Sequence, residues 1–298
     1  MSVTASKEDA NVTLEAKSVV SPWKDAWKGL KKNKLALVGT GIVVLFIMLA
    51  IFADFIAPQS YKEQVLPDAL QSPSADHWFG TDDLGRDIFS RVVYGARISL
   101  WIGFFAVLVS AILGSFLGII AGYYGRWIDM LISRLFDIML AFPSILLAIA
   151  IVAILGPSLQ NALLAIAIIN VPTFGRLVRS KVISIKEEEY VTAAKAIGMR
   201  DSRILFHHVL PNSVAPIIVQ GTLGIGTAIL DAAALGFLGL GAQAPDPEWG
   251  RMLSDARSYI TQAPWTLIFP GGAIMLTVLG FNLMGDGLRD VLDPRMKN

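Results

Sequence analysis

The chain of 298 residues has no cysteine and only three histidines, His77, His207 and His208. Without cysteine it can form no disulfide, thiolate nucleophile or cysteine-ligated metal site. No two histidines have the i, i+4 spacing of a helical zinc pair, and no Gly-x-x-x-x-Gly-Lys-Ser/Thr phosphate loop occurs. These absences argue against an enzyme, and in particular against a chain that itself hydrolyses ATP.

Charge is also scarce, because only 16% of the residues are charged, against about 25% in ordinary soluble domains. Hydrophobic residues make up 54%, and the mean hydropathy is +0.58. A bilayer core needs about 20 apolar residues per helix, and the first run is too long for a signal peptide. The sequence therefore predicts an all-α membrane protein with six transmembrane helices, at 35–57, 98–121, 135–155, 159–177, 213–240 and 266–285.

The distribution of lysine and arginine predicts the orientation of these helices. Nineteen of the 25 basic residues fall before residue 35, in 122–134, in 176–212 or after 287, and six fall in the alternate loops. Basic residues concentrate on the cytoplasmic side, so we expect both termini there. The predicted segments are a cytosolic tail with an interfacial helix at 1–34, a first span at 35–57, an extracytoplasmic loop at 58–97, a five-helix core at 98–286 with a cytosolic loop at 178–212, and a cytosolic tail at 287–298.

One polar stretch, Tyr190–Pro211, separates two of the apolar runs. Its alanines favour a helix, Gly198 ends that helix, and Asp201 or Ser202 caps a second helix that Pro211 limits. Small residues on an exposed helix allow a partner to approach closely. The pattern predicts two short helices with a break, and the alternative is a solvated loop.

This stretch resembles the signature loop of the membrane subunits of ABC importers. Thr192-Ala193-Ala194, Gly198 and Leu210-Pro211 stand at the spacing of that motif, with Thr192 in place of Glu and His208 in place of Ile. Three further segments resemble the dipeptide and oligopeptide branch of these importers: His77–Arg97, Gly239–Gly250 and Phe281–Pro294. The resemblance covers roughly residues 20–298.

The resemblance implies a type I ABC importer permease fold in a bacterial inner membrane, in contact with lipid and not with nucleic acid. It implies a homologous second permease, two cytosolic ATPase subunits and an extracytoplasmic peptide-binding protein as partners. No cofactor is expected on this chain, since ATP and Mg would bind the ATPases. The motif's Glu pairs with a basic residue of the ATPase, which Thr192 cannot do, although Glu189 lies one turn earlier. The expected docking residues are Glu189, Tyr190, Thr192, Ala193, Ala194, Gly198, Arg203, His208, Leu210 and Pro211.

Within the spans, Asp231 is a candidate pore residue because a charge in the bilayer is costly and usually functional. A pore-facing carboxylate would meet the amino terminus of a passing peptide; the alternative is a carboxylate bonded to a neighbouring helix. Gly114, Gly118 and Gly122 recur every four residues, which predicts close packing of another helix.

Two other groups of charged residues have structural explanations. Asp137 follows Arg134 by three residues and can pair with it on one helix face. His77 with Asp82, Asp83 and Asp87 superficially suggests a metal site, but the adjacent Arg86 supplies an ion-pair partner, and we expect no metal.

The sequence thus predicts a pore-forming permease subunit that couples ATPase closure to alternating access. Within this class, nickel chelates, glutathione or another small solute are alternatives to peptides. A proton-coupled secondary transporter using Asp231 and Asp137, or a membrane scaffold without translocation, would be different classes.

Overall fold

A computed structural model describes residues 33–292, so the predicted interfacial helix and the last six residues lie outside the described part. The described chain is built of helices, which confirms the all-α prediction, with one isolated bridge between Thr81 and Asp87. The helices are α1 (Lys34–Ile51), α2 (Ala53–Ile56), α3 (Ile88–Tyr124), α4 (Arg126–Leu140), α5 (Ser144–Leu155), α6 (Leu159–Lys186), α7 (Glu189–Ala196), α8 (Asp201–Ile204), α9 (Leu210–Phe237), α10 (Trp249–Ala256) and α11 (Trp265–Leu292).

Five helical segments in the described range are long and apolar enough to cross a membrane: α1, α3, α6, α11 and the segment Asp201–Phe237. The third predicted span, 135–155, is not one helix, because α4 and α5 meet at a bend of 92°. Pro143 precedes α5 in an extended conformation and also disfavours helix at the residue before it. The number of spans is therefore five, or six if the bent pair counts as one.

Several helix boundaries differ from the predicted ones, and two of the differences have a clear local cause. α3 begins at Ile88 instead of 98, because the Asp87 carboxylate accepts a hydrogen bond of 2.8 Å from the Ser90 amide and caps the helix. Pro211 does not end the second loop helix as predicted. It lies in the first turn of α9, where its missing N–H is tolerated, and a π-turn at Leu205–Val209 connects α8 to α9.

At the centre of the bundle, α3 and α6 pack closely along a row of glycines. A Cβ at Gly114 would meet Val171 and Phe174, one at Gly118 would meet Gly175 and Arg179, and one at Gly122 would meet Arg179 and Val182. The partners advance along α6 in the same order as the glycines along α3, so the two helices run parallel.

The last turns of α3, α6 and α11 and the first turns of α1 and α9 lie at one end of the bundle, which we call the loop side. Lys186 at the end of α6 donates to the backbone carbonyl of Tyr123 at the end of α3, at 2.7 Å. Asn33, before α1, donates to Asp290 in the last turn of α11 at 3.4 Å.

The opposite end of the bundle is held together by buried polar groups. The buried Arg91 guanidinium donates to the Tyr61 carbonyl at 3.1 Å and lies 3.5 Å from the Asp82 carboxylate. The indole of Trp249, at the start of α10, donates to the Val92 carbonyl at 3.0 Å. These contacts fix the segment before α3 and the segment between α9 and α11 to the first two turns of α3.

Candidate functional site

The candidate site is the projection formed by residues 188–209, which we call the docking loop. α7 ends in a tight turn in which the Gly198 amide bonds to the Lys195 carbonyl and the Met199 amide to the Ala194 carbonyl, both at 3.0 Å. Gly198 has φ +79°, a conformation that side chains with a Cβ rarely adopt, and the space around it is open. The glycine therefore reverses the chain between two short helices at the tip of the loop.

The inner face of the docking loop is apolar and packed. Val191, Ala194, Ile204 and Val209 are buried and form one cluster with residues of α3 and α6, namely Tyr123, Val178, Val182 and Ile185. Burial of these side chains holds the loop on the ends of α3 and α6. The loop is thus an ordered projection and not a solvated connection.

The outer face of the loop presents small and apolar residues. Ala193 and Gly198 are exposed, and the side chains of Ile197 and Phe206 are 79% and 67% exposed. Apolar side chains that a protein leaves uncovered beside small residues form a surface that another protein can bury. The tip of the loop, where Arg200 and Arg203 add positive charge, is an exposed apolar and basic surface.

The structure brings the two arms of the loop together through Tyr190 and His208. Their ring centres lie 5.6 Å apart, and Asn212 donates to the His208 carbonyl at 2.6 Å and to the Tyr190 hydroxyl at 3.4 Å. The predicted docking residues therefore divide into an exposed set and a set that supports the loop. The exposed set is Glu189, Thr192, Ala193, Gly198, Arg203, Pro211 and the 43% exposed Tyr190, and the supporting set is Ala194, His208 and Leu210.

Sequence reasoning missed the residue that connects the loop to the bundle, Tyr123. Its hydroxyl donates to the Asp201 carboxylate at the start of α8. Arg200 occupies the cap position of α8, so neither Asp201 nor Ser202 caps this helix as predicted. The ammonium groups of Lys195 and Lys186 lie 5.2 and 5.8 Å from its ring centre. The only signal in the sequence is an aromatic residue after the glycine row of α3, which fits many roles.

α4 packs on α6 about two to three turns before the end of α6. The Phe136 ring lies where a Cβ at Gly175 would be, and the Asp129 carboxylate forms a bidentate pair with Arg179. The Asp137 carboxylate binds Arg176 of α6 at 2.6 Å, while Arg134, its predicted partner, lies 3.9 Å away. Asp137 is therefore engaged by a cation of the neighbouring helix.

Asp231 lies within α9 and is partly exposed. Among residues 33–292, no side chain forms a hydrogen bond or ion pair with it, so the alternative of a carboxylate bonded to a neighbouring helix finds no partner there. It shares a face of α9 with Gln220 and Thr227, since the spacing is i, i+7 and i+11. On this face Thr227 is exposed, and Gln220 and Asp231 are partly exposed.

The residues that superficially suggested a metal site are engaged with one another. His77 lies 3.1 Å from the Asp87 carboxylate, and Asp82 binds Arg86 at 2.6 Å. Within the described range, no three histidine or acidic side chains are placed to hold a metal ion.

Several apolar helices long enough to span a membrane, together with a projecting polar loop, define a multi-pass membrane protein. The chain belongs to the family of binding-protein-dependent transport system inner membrane components, whose model matches residues 114–298. Residues 21–73 match the N-terminal transmembrane domain of oligopeptide transport permease C. The protein is thus a bacterial inner-membrane protein with several membrane-spanning helices.

Individual relatives agree with this assignment. The chain is 72% identical to a dipeptide transport system permease protein of Alkalihalophilus pseudofirmus, covering 94% of this chain and 92% of the relative. It is 48% identical to a glutathione transport system permease protein of Pectobacterium atrosepticum, covering 96% and 95%. A chain of the methionine ABC transporter MetNI, solved in an inward-facing conformation, has the same fold at 19% identity, with a TM-score of 0.57 over 68% of this chain and 97% of that one.

Proposed function

We propose that this chain is one of two homologous permease subunits of an ATP-driven dipeptide importer, and that an ATPase subunit binds its docking loop. The substrate class is supported by the 72% identity to a dipeptide permease across nearly the whole length of both chains. The docking role rests on one observation: the ordered loop at 188–209 exposes Ile197, Phe206 and small residues that nothing in the described chain covers.

A topology of six crossings with cytosolic termini is part of this proposal. α3 and α6 run parallel, so the chain between them has to return across the membrane, and the bent pair α4–α5 is the segment available for the return. The loop side carries the basic segment 176–212 and the end of α11, which the charge distribution assigns to the cytoplasm. This orientation points the docking loop at cytosolic ATPases.

In the proposed mechanism, closure of the two ATPases on ATP and Mg moves α7 and α8. The bond between Asp201 and Tyr123 passes this displacement to α3, and the glycine contacts pass it to α6 because they leave no gap between the two helices. The pathway along α9, where Asp231 meets the ammonium group of a peptide, then opens outward to accept substrate from an extracytoplasmic binding protein.

A glutathione importer is a second candidate, favoured by the relatives at 48–50% identity. Glutathione is itself a small peptide with free carboxylates, so the same pathway chemistry applies. A proton-coupled transporter is disfavoured because Asp137, one of its two carboxylates, is bound by Arg176 at 2.6 Å.

The test is uptake in proteoliposomes that contain this chain, the second permease, both ATPases and the binding protein. We expect accumulation of a labelled dipeptide that requires ATP and the binding protein and survives collapse of the proton gradient. Labelled glutathione in parallel vesicles decides between the two substrates. Uptake that follows a proton gradient without ATP would overturn the proposed function.

A further inference from the structure

A cavity of about 370 Å³ opens on the loop side between the ends of α6, α9 and α11. Its size falls in the usual range of about 300–1,000 Å³ for small-molecule sites. Leu177, Val219 and Leu223 form apolar walls, and three polar side chains reach it: Lys181 from α6, Gln220 from α9 and Arg289 from α11. Apolar walls with a few convergent polar groups are typical of a ligand site.

The charge of this cavity is positive. No acidic residue of 33–292 lines it. Within the same range, neither Lys181 nor Arg289 forms an ion pair. Asp286 and Asp290 lie on α11 near Arg289, but they do not line the cavity, and Asp290 accepts a hydrogen bond from Asn33. Two cations that converge from different helices, with an amide between them, are suited to binding an oxyanion.

The cavity lies on the same face of α9 as Asp231. Gln220 and Asp231 are eleven residues apart, which is about three helical turns and about 16 Å along the axis. Thr227 lies between them on this face and is exposed. One partly exposed face thus carries a carboxylate farther from the loop side and two cations at its loop-side end. A dipeptide spans only about 7 Å, so it meets these two sites one after the other and not both at once.

We propose that this cavity is an inner-mouth site in which Lys181 and Arg289 bind the C-terminal carboxylate of a peptide that leaves the pathway. The proposal rests on the proposed function, since it takes the substrate to be a peptide. A phosphate of an anionic lipid headgroup is the other oxyanion that could reach two cations at a membrane surface.

The test uses the complex of both permeases and both ATPases in phosphatidylcholine nanodiscs, without nucleotide and without binding protein. Alanyl-alanine, its C-terminal amide and its N-acetyl derivative are titrated by ligand-observed NMR. We expect alanyl-alanine and the N-acetyl derivative to bind in this cavity, and the amide to bind about tenfold more weakly because it lacks the carboxylate.

The double substitution Lys181→Gln with Arg289→Gln should produce the same loss for alanyl-alanine. Its matched control is Lys62→Gln with Arg257→Gln, which removes two exposed cations at the opposite end of the bundle and should leave binding unchanged. Equal binding of the peptide and its amide, or full binding by the Lys181/Arg289 variant, would overturn the proposal.

Nanodiscs that contain phosphatidylglycerol distinguish the lipid from the peptide. If the parent complex binds no alanyl-alanine in phosphatidylcholine but retains phosphatidylglycerol in a manner that depends on Lys181 and Arg289, the site belongs to the lipid and the proposal is wrong. If the unsubstituted complex still shows ATP-driven uptake, only the cavity proposal fails and the proposed permease function stands. If the unsubstituted complex shows no ATP-driven uptake, the proposed function itself is wrong.

Discussion

At the scale of single residues, Tyr123 contacts the docking loop and the end of α6 through three different groups. Its hydroxyl donates to Asp201, its backbone carbonyl accepts from Lys186, and its ring faces the ammonium of Lys195. These contacts connect α8, α6 and α7 to the last turn of α3. A movement of the loop can therefore reach α3 through Tyr123 as well as through the buried apolar cluster.

Replacing Tyr123 by Phe removes only the hydroxyl and retains the ring and the backbone carbonyl. We expect the variant to assemble and hydrolyse ATP, but to transport several-fold less dipeptide per ATP, because α8 is no longer tied to α3. Tyr124→Phe is the matched control, since Tyr124 is 49% exposed and forms no side-chain hydrogen bond within the described range. An unchanged ratio of transport to hydrolysis in Tyr123→Phe would contradict the proposed link.

The glycine row of α3 gives a prediction about stability. A methyl group at Gly118 would meet the Gly175 carbonyl and the Arg179 amide of α6, whereas one at Gly41 of α1 meets nothing within 4 Å. Both Gly→Ala changes gain the same helix propensity, so their difference isolates the overpacking cost of about 1–3 kcal/mol. In detergent, the melting temperature of Gly118→Ala should be well below that of Gly41→Ala. Equal melting temperatures would contradict the close packing of α3 against α6 at Gly118.

At the scale of elements, α10 depends on a buried acid. Glu248 accepts hydrogen bonds of 2.8 Å from the Gly250 and Arg251 amides and caps the helix. Burial raises the pKa of Glu248 to about 7, although these two amides favour the charged form and oppose the shift. The ordinary pKa of a glutamate, which applies to the unfolded chain, is about 4.3. Between about pH 4 and 7 the folded chain therefore holds a proton on Glu248 that the unfolded chain has released. The stability that this group contributes is complete at low pH and is lost as the pH rises toward 7.

The corresponding prediction concerns Glu248→Gln, which keeps a capping oxygen and cannot titrate. Between about pH 5 and 8, the melting temperature of the parent should fall more steeply than that of the variant, because only the parent loses a proton from this site. Parallel curves for the two proteins would show that Glu248 does not change its protonation on unfolding.

Hydropathy and the Ala-rich stretch before Gly198 were enough to predict most long helices and the break in the docking loop. The bend between α4 and α5 was missed, because the apolar run at 135–155 continues without interruption through Pro143, where the helix breaks. The continuation of the helix through Pro211 was also missed, because a proline stops a helix only where its N–H is needed. Tyr123 could not be identified from the sequence, as its role exists only when α3 and α8 meet.

At the scale of the whole molecule, orientation in the membrane follows from the charge distribution and can be measured directly. The chain has no cysteine, so each introduced cysteine is the only one. Ser74, Gln262, Ser184 and Ser202 are all exposed. We expect an impermeant thiol reagent to label Ser74→Cys and Gln262→Cys in intact cells, and Ser184→Cys and Ser202→Cys only after lysis. The reverse pattern would place the docking loop outside, where no ATPase could bind it.

The central claim is that the docking loop transmits ATPase motion, and Gly198→Asp in the full complex tests it most directly. Gly198 has φ +79° with open space around it, so aspartate adds backbone strain of roughly 1 kcal/mol or more and a charge at the tip without a clash in the bundle. Gly239→Asp is the matched control, with φ +76° and open space at the other end of α9.

Three quantities are measured for both variants: retention of the ATPases in pull-downs, ATP-driven uptake, and the amount of the permease in the membrane. For Gly198→Asp we predict a normal membrane level, weak ATPase retention and little ATP-driven uptake, and for Gly239→Asp normal retention. Full retention together with full uptake in Gly198→Asp would contradict the account.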